Sequence, residues 1–198
     1  MTMASRHGRN SPRDVGRPSE EIRFAVGQSS LGSILVAFSE KGVVSILIRE
    51  DPDQLVEDLR NRFPRAVLVR GIRDDETVLR RVVDHVEEPA RDLDLPLDVR
   101  GTAFQRRVWQ AVREIPLGQT TTYTDVARKI GAPNAIRAVG NACSANNLAI
   151  AVPCHRVLHK DGSPTGGNHW GNGRQRAMIE READAASRER PAPAPDGE

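Results

Sequence analysis

The chain has 198 residues, enough for one domain of ordinary size or two small ones. It has no apolar run long enough to span a membrane and no signal segment at its start, so we expect a soluble, cytoplasmic protein with no membrane partner. Its two cysteines, Cys143 and Cys154, are too few for a disulfide framework and indicate free thiols in a reducing compartment.

The charge of the chain is unevenly distributed, although the net charge is only +2. Residues 101–180 contain ten Lys or Arg and four Asp or Glu, whereas the rest contains 19 basic and 23 acidic residues. A basic segment of this kind is typical of a surface that meets an anion such as nucleic acid. An Arg-rich surface without such a partner explains the charge equally well.

The first half of the chain predicts a small α+β domain over residues 21–99. A tail at 1–20, rich in Arg, Ser, Gly and Pro, is predicted to be disordered. Short β-rich stretches separated by Gly predict strands, and Asp51-Pro52 opens an amphipathic helix that ends near Pro64. The predicted elements are strands at 22–26, 33–38, 43–48 and 66–69 and helices at 52–63 and 78–88.

The second half, residues 100–186, predicts a mainly helical domain, followed by a disordered tail at 187–198. Helices are expected at 104–115, 124–130 and 134–145, with a tight Gly-Ala-Pro turn before the last one and Asn134 as its N-cap. Helix, Gly-containing turn and helix together predict a helix-turn-helix module. Its second helix carries tiny side chains and one arginine, Arg137. It can approach DNA closely but read little sequence, unless the small residues pack against another helix.

An apolar run leads into the sequence Pro153-Cys154-His155-Arg156. We expect His155, Arg156, Lys160 and Arg137 to make the surroundings of the thiol electropositive and so to lower the pKa of Cys154.

Three interpretations of this cysteine remain open on the residues alone. Cys154 is an inert core thiol, a metal ligand together with Cys143, His155 and His159, or a nucleophile paired with His155 and a carboxylate further along the chain. The metal interpretation lacks the short Cys-x-x-Cys pairing of structural zinc sites.

The five residues 153–157, Pro-Cys-His-Arg-Val, resemble the signature of the O6-alkylguanine-DNA alkyltransferases. The resemblance extends over roughly residues 22–185. Within the family, the chain is similar to bacterial members. Further matching residues are Gly101–Gln105, Val108-Trp109, Ile115-Pro116, Gly118, Tyr123, Arg137–Gly140 and Asn146. It implies a ribonuclease-H-like α+β domain followed by a mainly helical domain with a helix-turn-helix.

The resemblance also implies an activity, that of a methylated-DNA–[protein]-cysteine S-methyltransferase. Such a protein repairs DNA by transferring the alkyl group of O6-alkylguanine, and of O4-alkylthymine, irreversibly to its own cysteine, here Cys154. The implied partner is double-stranded DNA carrying the lesion, bound through the minor groove by a monomer, with no metal and no cofactor. Extrusion of the damaged base into a pocket is the physical requirement of this chemistry.

Site residues follow from the same resemblance, by the positions that match. Cys154 is the alkyl acceptor, and His155 takes its proton through a water molecule. Glu182 orients the histidine, and Asn146 braces the turn before the active site.

The resemblance places the DNA contacts on the helix-turn-helix. Arg137 enters the duplex and fills the space left by the flipped guanine. Tyr123, with Thr124 beside it, contacts the DNA; the tyrosine pushes the 3′ phosphate and helps to donate a proton to guanine N3.

One stretch, residues 165–171, departs from the family pattern. Gly167 or Asn168 stands where an aromatic residue is expected, so the resemblance does not define the base pocket there, and His169 or Trp170 is the candidate substitute. Two rival functions are a lesion-sensing DNA-binding module and an adaptive-response regulator without alkyl transfer. Cys154 argues against the first, and the small-residue helix argues against the second.

Overall fold

The structure of the chain, a computed structural model, describes residues 20–165 and 171–189. The first domain contains strands β1 (Glu21–Ser29), β2 (Gly32–Ser39), β3 (Gly42–Arg49) and β4 (Val67–Arg70), with helices α1 (Pro52–Arg62) and α2 (Arg73–Glu87). The second contains helices α3 (Ala103–Arg113), α4 (Tyr123–Lys129), α5 (Ile136–Ser144) and α6 (Gly171–Glu189), the short strands β5 (Thr121–Thr122) and β6 (Val157–Leu158), and a 3-10 turn at Cys154–Arg156.

The sheet of the first domain has the order β3-β2-β1-β4. β1, β2 and β3 form an antiparallel meander, and β4 returns parallel to β1 after α1. The two tight turns of the meander contain Gly32 and Gly42, whose φ angles of +114° and +135° disfavour any residue with a Cβ. The predicted strands and helices of this domain are confirmed; their bounds agree within three residues except that α2 begins at Arg73, five residues before its predicted start.

Alternate residues of the central strands enter two cores on opposite faces of the sheet. One face is covered by α1, where Leu55 and Leu59 are fully buried, a contribution of roughly 1.5–3 kcal/mol each. The other face packs against α2 and continues without a break into the core of the helical domain. One face of the sheet therefore packs directly against the core of the second domain.

The helix-turn-helix is present as α4, a turn and α5. The indole Nε1 of Trp109 on α3 donates to the carbonyl of Ala142 at 2.8 Å and fixes α3 against α5. The predicted N-cap, Asn134, is wrong. The turn closed by the bond from Ala135 N to Ala132 O encloses Asn134, so α5 begins at Ile136 after Ala135.

Helix α6 belongs to the second domain and also contacts the first. Arg174 donates to the carbonyl of Leu31, and Arg181 donates to the carbonyl of Val86 and to the hydroxyl of Ser30. The helix continues to Glu189, so residues 187–189 of the predicted C-terminal tail are helical. The rest of that tail, and the predicted tail at 1–20 except Glu20, lie outside the described residues. Among the helices that the structure describes, none is both long and apolar enough to cross a membrane.

Candidate active site

The segment before Cys154 is held against the edge of the sheet. The carbonyl of Asn147 accepts from the backbone N–H of Ile46 at 2.7 Å and from the hydroxyl of Ser45 at 3.1 Å. Ala149 N donates back to the carbonyl of Ile46 at 3.2 Å, so the segment lies beside β3 and forms a short parallel pairing with it. The first domain thereby determines where the second domain places its cysteine.

A side chain of α1 reinforces this attachment. The guanidinium of Arg62 donates to the amide oxygen of Asn147. Replacing Arg62 by methionine keeps the apolar stem and removes this donor, so we expect the free energy of unfolding to fall by about 1–3 kcal/mol. Urea unfolding followed by circular dichroism measures the change.

Arg60, on the same helix turn but exposed, supplies the matched control. Arg60→Met should alter the free energy of unfolding by less than about 0.5 kcal/mol. Equal losses in the two variants would show that the bond to Asn147 adds nothing to the attachment.

Asn146 closes the turn that delivers the thiol. Its amide nitrogen donates to the carbonyl of Val152 at 2.9 Å and lies 3.4 Å from the sulfur of Cys154, while its oxygen accepts from Leu148 N at 2.9 Å. Within the turn, Ile150 has a φ of +72°, a conformation that costs a β-branched residue roughly 1–3 kcal/mol. The predicted bracing role of Asn146 agrees with these contacts.

The electrostatic environment of Cys154 differs from the prediction. The thiol is buried, and its pKa is raised well above its usual value by contact with the thiol of Cys143, then by burial, against the opposing hydrogen bond from Asn146. Arg156 points away, to the carboxylate of Glu182 and to the carbonyl of Ile115. The expected lowering of the pKa by basic neighbours is therefore wrong, and the raised pKa favours the neutral thiol of Cys154.

The other two predicted site residues from this region meet in the interior. His155 Nε2 lies 2.8 Å from Glu182 Oε1, and both side chains are 1% exposed. Arg156 donates to both oxygens of the same carboxylate at 2.8 and 2.9 Å. Burial alone would raise the pKa of Glu182, but the bonds from His155 and Arg156 outweigh it and hold the pKa at about 2. Glu182 is thus a permanent anion at neutral pH.

The residues predicted to contact DNA lie on the helix-turn-helix. Tyr123 and Thr124 begin α4 and are half-buried, whereas Arg137 near the start of α5 is exposed. Burial raises the pKa of Tyr123 despite a hydrogen bond with Thr165, so its hydroxyl keeps its proton. A Cβ built on Gly140 meets no atom within 4 Å, so internal packing does not require a glycine there.

Three further points concern a metal site, the base pocket and two contacts that the sequence did not predict. In the described residues, no group of three or more His, Cys, Asp or Glu side chains is arranged to hold a metal ion. The predicted departure at Gly167, Asn168, His169 and Trp170 lies outside the described residues. Sequence reasoning missed the bonds of Arg156 to Glu182 and the approach of Cys143 to Cys154, because both depend on how distant elements pack.

Residues 103–184 match the family model "6-O-methylguanine DNA methyltransferase, DNA binding domain". The chain is 42% identical, over 84% of its length, to the bifunctional transcriptional activator/DNA repair enzyme Ada of Escherichia coli strain K12, and spans 47% of that relative. It is 41% identical, over 66% of its length, to the inducible methylated-DNA–protein-cysteine methyltransferase of Bacillus subtilis strain 168, and spans 74% of it. The chain thus spans about half the length of the first of these relatives.

A solved structure gives the same result for the fold. The crystal structure of Mycobacterium tuberculosis OGT in complex with DNA superposes with a TM-score of 0.69 at 31% identity, covering 82% of this chain and 94% of that one. Fold and site together define a class of protein in which a sheet domain supports a helix-turn-helix domain with a buried cysteine beside a His–Glu pair. The chain belongs to the methylated-DNA–protein-cysteine methyltransferase family.

Proposed function

We propose that this protein repairs DNA by direct reversal: it takes the alkyl group from O6-alkylguanine, and from O4-alkylthymine, onto Cys154 in one irreversible turnover. The observation that carries the proposal is the arrangement at Cys154. A buried thiol stands at the end of a braced turn, and the next residue, His155, is bonded to a buried carboxylate, Glu182. Family membership supports the same activity.

The transfer begins with deprotonation of the thiol, since the raised pKa of Cys154 leaves little thiolate at rest. Because Nε2 of His155 is engaged by Glu182, we propose that the proton reaches the ring through Nδ1, with a water molecule between thiol and ring. The anionic carboxylate stabilises the imidazolium that forms.

The thiolate then attacks the alkyl carbon. A sulfur–carbon bond forms, the bond from that carbon to guanine O6 breaks, and its electron pair passes to the base. Tyr123 donates a proton to N3 and so neutralises the leaving guanine. The net result is a thioether on Cys154 and an unmodified guanine. The proton that His155 took from the thiol returns through solvent to the phenolate of Tyr123, so the base gains the one proton that the thiol loses.

DNA carrying the lesion is the proposed partner, bound by a monomer through the minor groove with α5 as the inserted element. Two observations support this geometry. Ala138 and Asn141 are exposed on α5 beside Arg137, and the space around Gly140 is open. A helix face of small side chains allows the DNA backbone to approach closely. Arg137 is the one long polar side chain of α5, and it is proposed to fill the gap in the stack, so little base readout is expected.

Mixing the protein with a duplex containing one O6-methylguanine tests the proposed function. Intact-protein mass spectrometry should show the gain of one methyl group per protein molecule, and the duplex should contain guanine afterwards. Tight lesion binding without any mass gain would instead indicate a lesion-sensing module, and binding confined to one DNA sequence would indicate a regulator.

Arg137→Ala should slow repair of duplex DNA by roughly 100-fold, because the flipped state loses the side chain that fills the gap in the stack, a loss of a few kcal/mol. The free base O6-benzylguanine needs no flipping and should react at nearly the rate of the unmodified protein. Single-turnover kinetics on both substrates measure the difference.

Arg80, exposed on α2, provides a control that removes the same charge far from the helix-turn-helix. Arg80→Ala should leave both rates unchanged. If Arg137→Ala slows the duplex and the free base equally, its role lies in the thiol chemistry or the fold and not in base flipping.

A further inference from the structure

Tyr123 stands at a point of α4 where the helix does not hold its side chain. A helical side chain leans toward the N-terminus and packs over the turn before it. Tyr123 is the first residue of α4, so no helical turn precedes it. Thr122 caps the helix, since its hydroxyl accepts from Asp125 N at 3.2 Å, and this fixes the backbone of the tyrosine. The ring must therefore be held by another element.

The segment that follows β6 lies beside this ring. Strands β5 and β6 pair in parallel, with Thr122 opposite Leu158. The next positions in this register are Tyr123 and His159, the first residue after each strand. Their two rings meet edge-to-face, with 5.8 Å between the centroids and 63° between the planes. This is one of the arrangements that aromatic pairs prefer.

A closed turn fixes the backbone of His159. Its N–H donates to the carbonyl of Ser163 at 3.1 Å, and its carbonyl accepts from Gly162 N at 2.9 Å. The Asp161 carboxylate accepts from the backbone N–H and from the hydroxyl of Ser163, at 2.9 and 2.6 Å. His159 is exposed, so core packing does not account for an aromatic ring at this position.

We propose that His159 is a positioning residue for alkyl transfer, whose ring holds the phenol of Tyr123 in the orientation from which its O–H reaches the leaving guanine. The inference rests on the proposed function, in which Tyr123 protonates N3 of that base. Tyr123 is only half-buried, so its ring can rotate on the exposed side unless a neighbour confines it. An edge-to-face contact confines it through the shape and quadrupole of a second ring, and it needs no charge.

The chemistry of this contact separates it from a direct contact with DNA. A histidine that bound a phosphate would act as a hydrogen-bond donor. Phenylalanine keeps the ring and has no donor, whereas glutamine keeps a donor and has no ring. The substitutions His159→Phe and His159→Gln therefore give opposite results for the two roles, and each serves as the matched control of the other.

Single-turnover transfer rates test the role. His159→Gln should be slower than the unmodified protein by roughly 3- to 10-fold, the rate equivalent of one lost edge-to-face pair. The loss should be equal on an O6-methylguanine duplex and on free O6-benzylguanine, because both leaving guanines need the proton. His159→Phe should stay within about 2-fold of the unmodified protein on both substrates. A phenylalanine variant as slow as the glutamine variant, or a loss confined to the duplex, would overturn the proposal.

A second comparison asks whether His159 acts through the phenol. Tyr123→Phe removes the hydroxyl and keeps the ring, so the ring contact remains but no proton donor is left to position. In this background His159→Gln should cost less than about 2-fold in rate. An equal loss with and without the hydroxyl would show that His159 acts on the reaction by another route, and it would also overturn the proposal.

The position of the ring can also be measured without any transfer, because Tyr123 is the only tyrosine of the chain. With ¹³C-labelled tyrosine, NMR reports on this one ring. Nuclear Overhauser effects between it and the ring at position 159 should appear in the unmodified protein and in His159→Phe. In His159→Gln the order parameter of the tyrosine ring should fall, since its motion on the picosecond to nanosecond timescale is less confined. An unchanged order parameter would contradict the role of His159.

Failure of the proposed function and failure of the positioning role give different results. If the unmodified protein transfers no methyl group, the proposed function fails, and the order parameters still decide whether His159 holds the ring. If it transfers the group and His159→Gln matches it in rate, only the positioning role fails.

Discussion

Replacing Cys154 by serine is expected to abolish alkyl transfer while lesion DNA remains bound. A serine hydroxyl is a far weaker nucleophile than a thiol, and His155 alone cannot raise it to the reactivity of a thiolate. With a labelled methyl group on the duplex, the unmodified protein should carry the label on one tryptic peptide, residues 138–156, with fragment ions placing it on Cys154. The serine variant should carry none and still shift the lesion duplex in a gel.

That peptide also contains Cys143, which makes the assignment a demanding one. Cys143 is fully buried on α5, and its thiol raises the pKa of Cys154. Cys143→Ala should retain one methyl group per protein molecule on Cys154. Because the contact with Cys143 is the largest cause of the raised pKa of Cys154, the pH at which iodoacetamide begins to react should fall in this variant. Label on Cys143 in the unmodified protein would refute the assignment of the acceptor.

The stoichiometry follows from the bond that forms. A thioether has no good leaving group, unlike a thioester or a disulfide, so the methyl group stays on the sulfur. Product beyond one equivalent of protein would mean that a second group removes the methyl, and the protein would then be an enzyme with turnover. One equivalent at completion, at any excess of DNA, is the expected result.

Local signals were sufficient to predict most of the elements. The Asp51-Pro52 start of α1 is an example, since the Asp51 carboxylate accepts from Asp53 N at 2.9 Å, as an N-cap does. The start of α5 was misplaced for the opposite reason. Asn134 is a good N-cap by type, but a turn that depends on the neighbouring backbone encloses it, and propensity does not report that choice.

The candidate site was predictable as a set of residues but not as an electrostatic environment. The resemblance named Cys154, His155 and Glu182, and the structure brings the last two within hydrogen-bonding distance. The nearby charge in the sequence suggested a lowered pKa for Cys154. Arg156 is instead paired with the carboxylate of Glu182, 26 residues further along the chain. Contacts at such sequence separations leave no local pattern in the sequence.

Replacing His155 by alanine is expected to slow transfer by about 10²–10⁴-fold, the usual worth of general-base assistance. Glu182→Gln should slow it as well, because a neutral amide does not stabilise the imidazolium. The double variant should be no slower than His155→Ala alone, since Glu182 acts on the thiol only through the histidine. Single-turnover rates of the three variants test this relay.

Glu182 also stabilises the fold, and this effect must be separated from its effect on the transfer rate. It is the counter-charge of the buried Arg156, so Glu182→Gln should also lower the free energy of unfolding, by roughly 3–5 kcal/mol. The pKa of Glu182 is depressed from 4.5 to about 2 on folding, so its stabilisation is fully present above about pH 4.5 and is lost as pH falls toward 2. As the pH is lowered from about 4.5 toward 2, the melting temperature of the unmodified protein should therefore fall more steeply than that of the Glu182→Gln variant.

Combining Glu182→Gln with Arg156→Met distinguishes the two roles. The pair removes both buried charges, so part of the lost stability should return, whereas the rate should stay at the level of Glu182→Gln. His155 then lacks its anionic partner although the fold no longer holds an uncompensated guanidinium. A rate that recovers together with stability would show that Glu182 matters only for folding. Fully additive losses in the His155→Ala, Glu182→Gln double variant would show that the carboxylate acts on the reaction by a route other than the histidine.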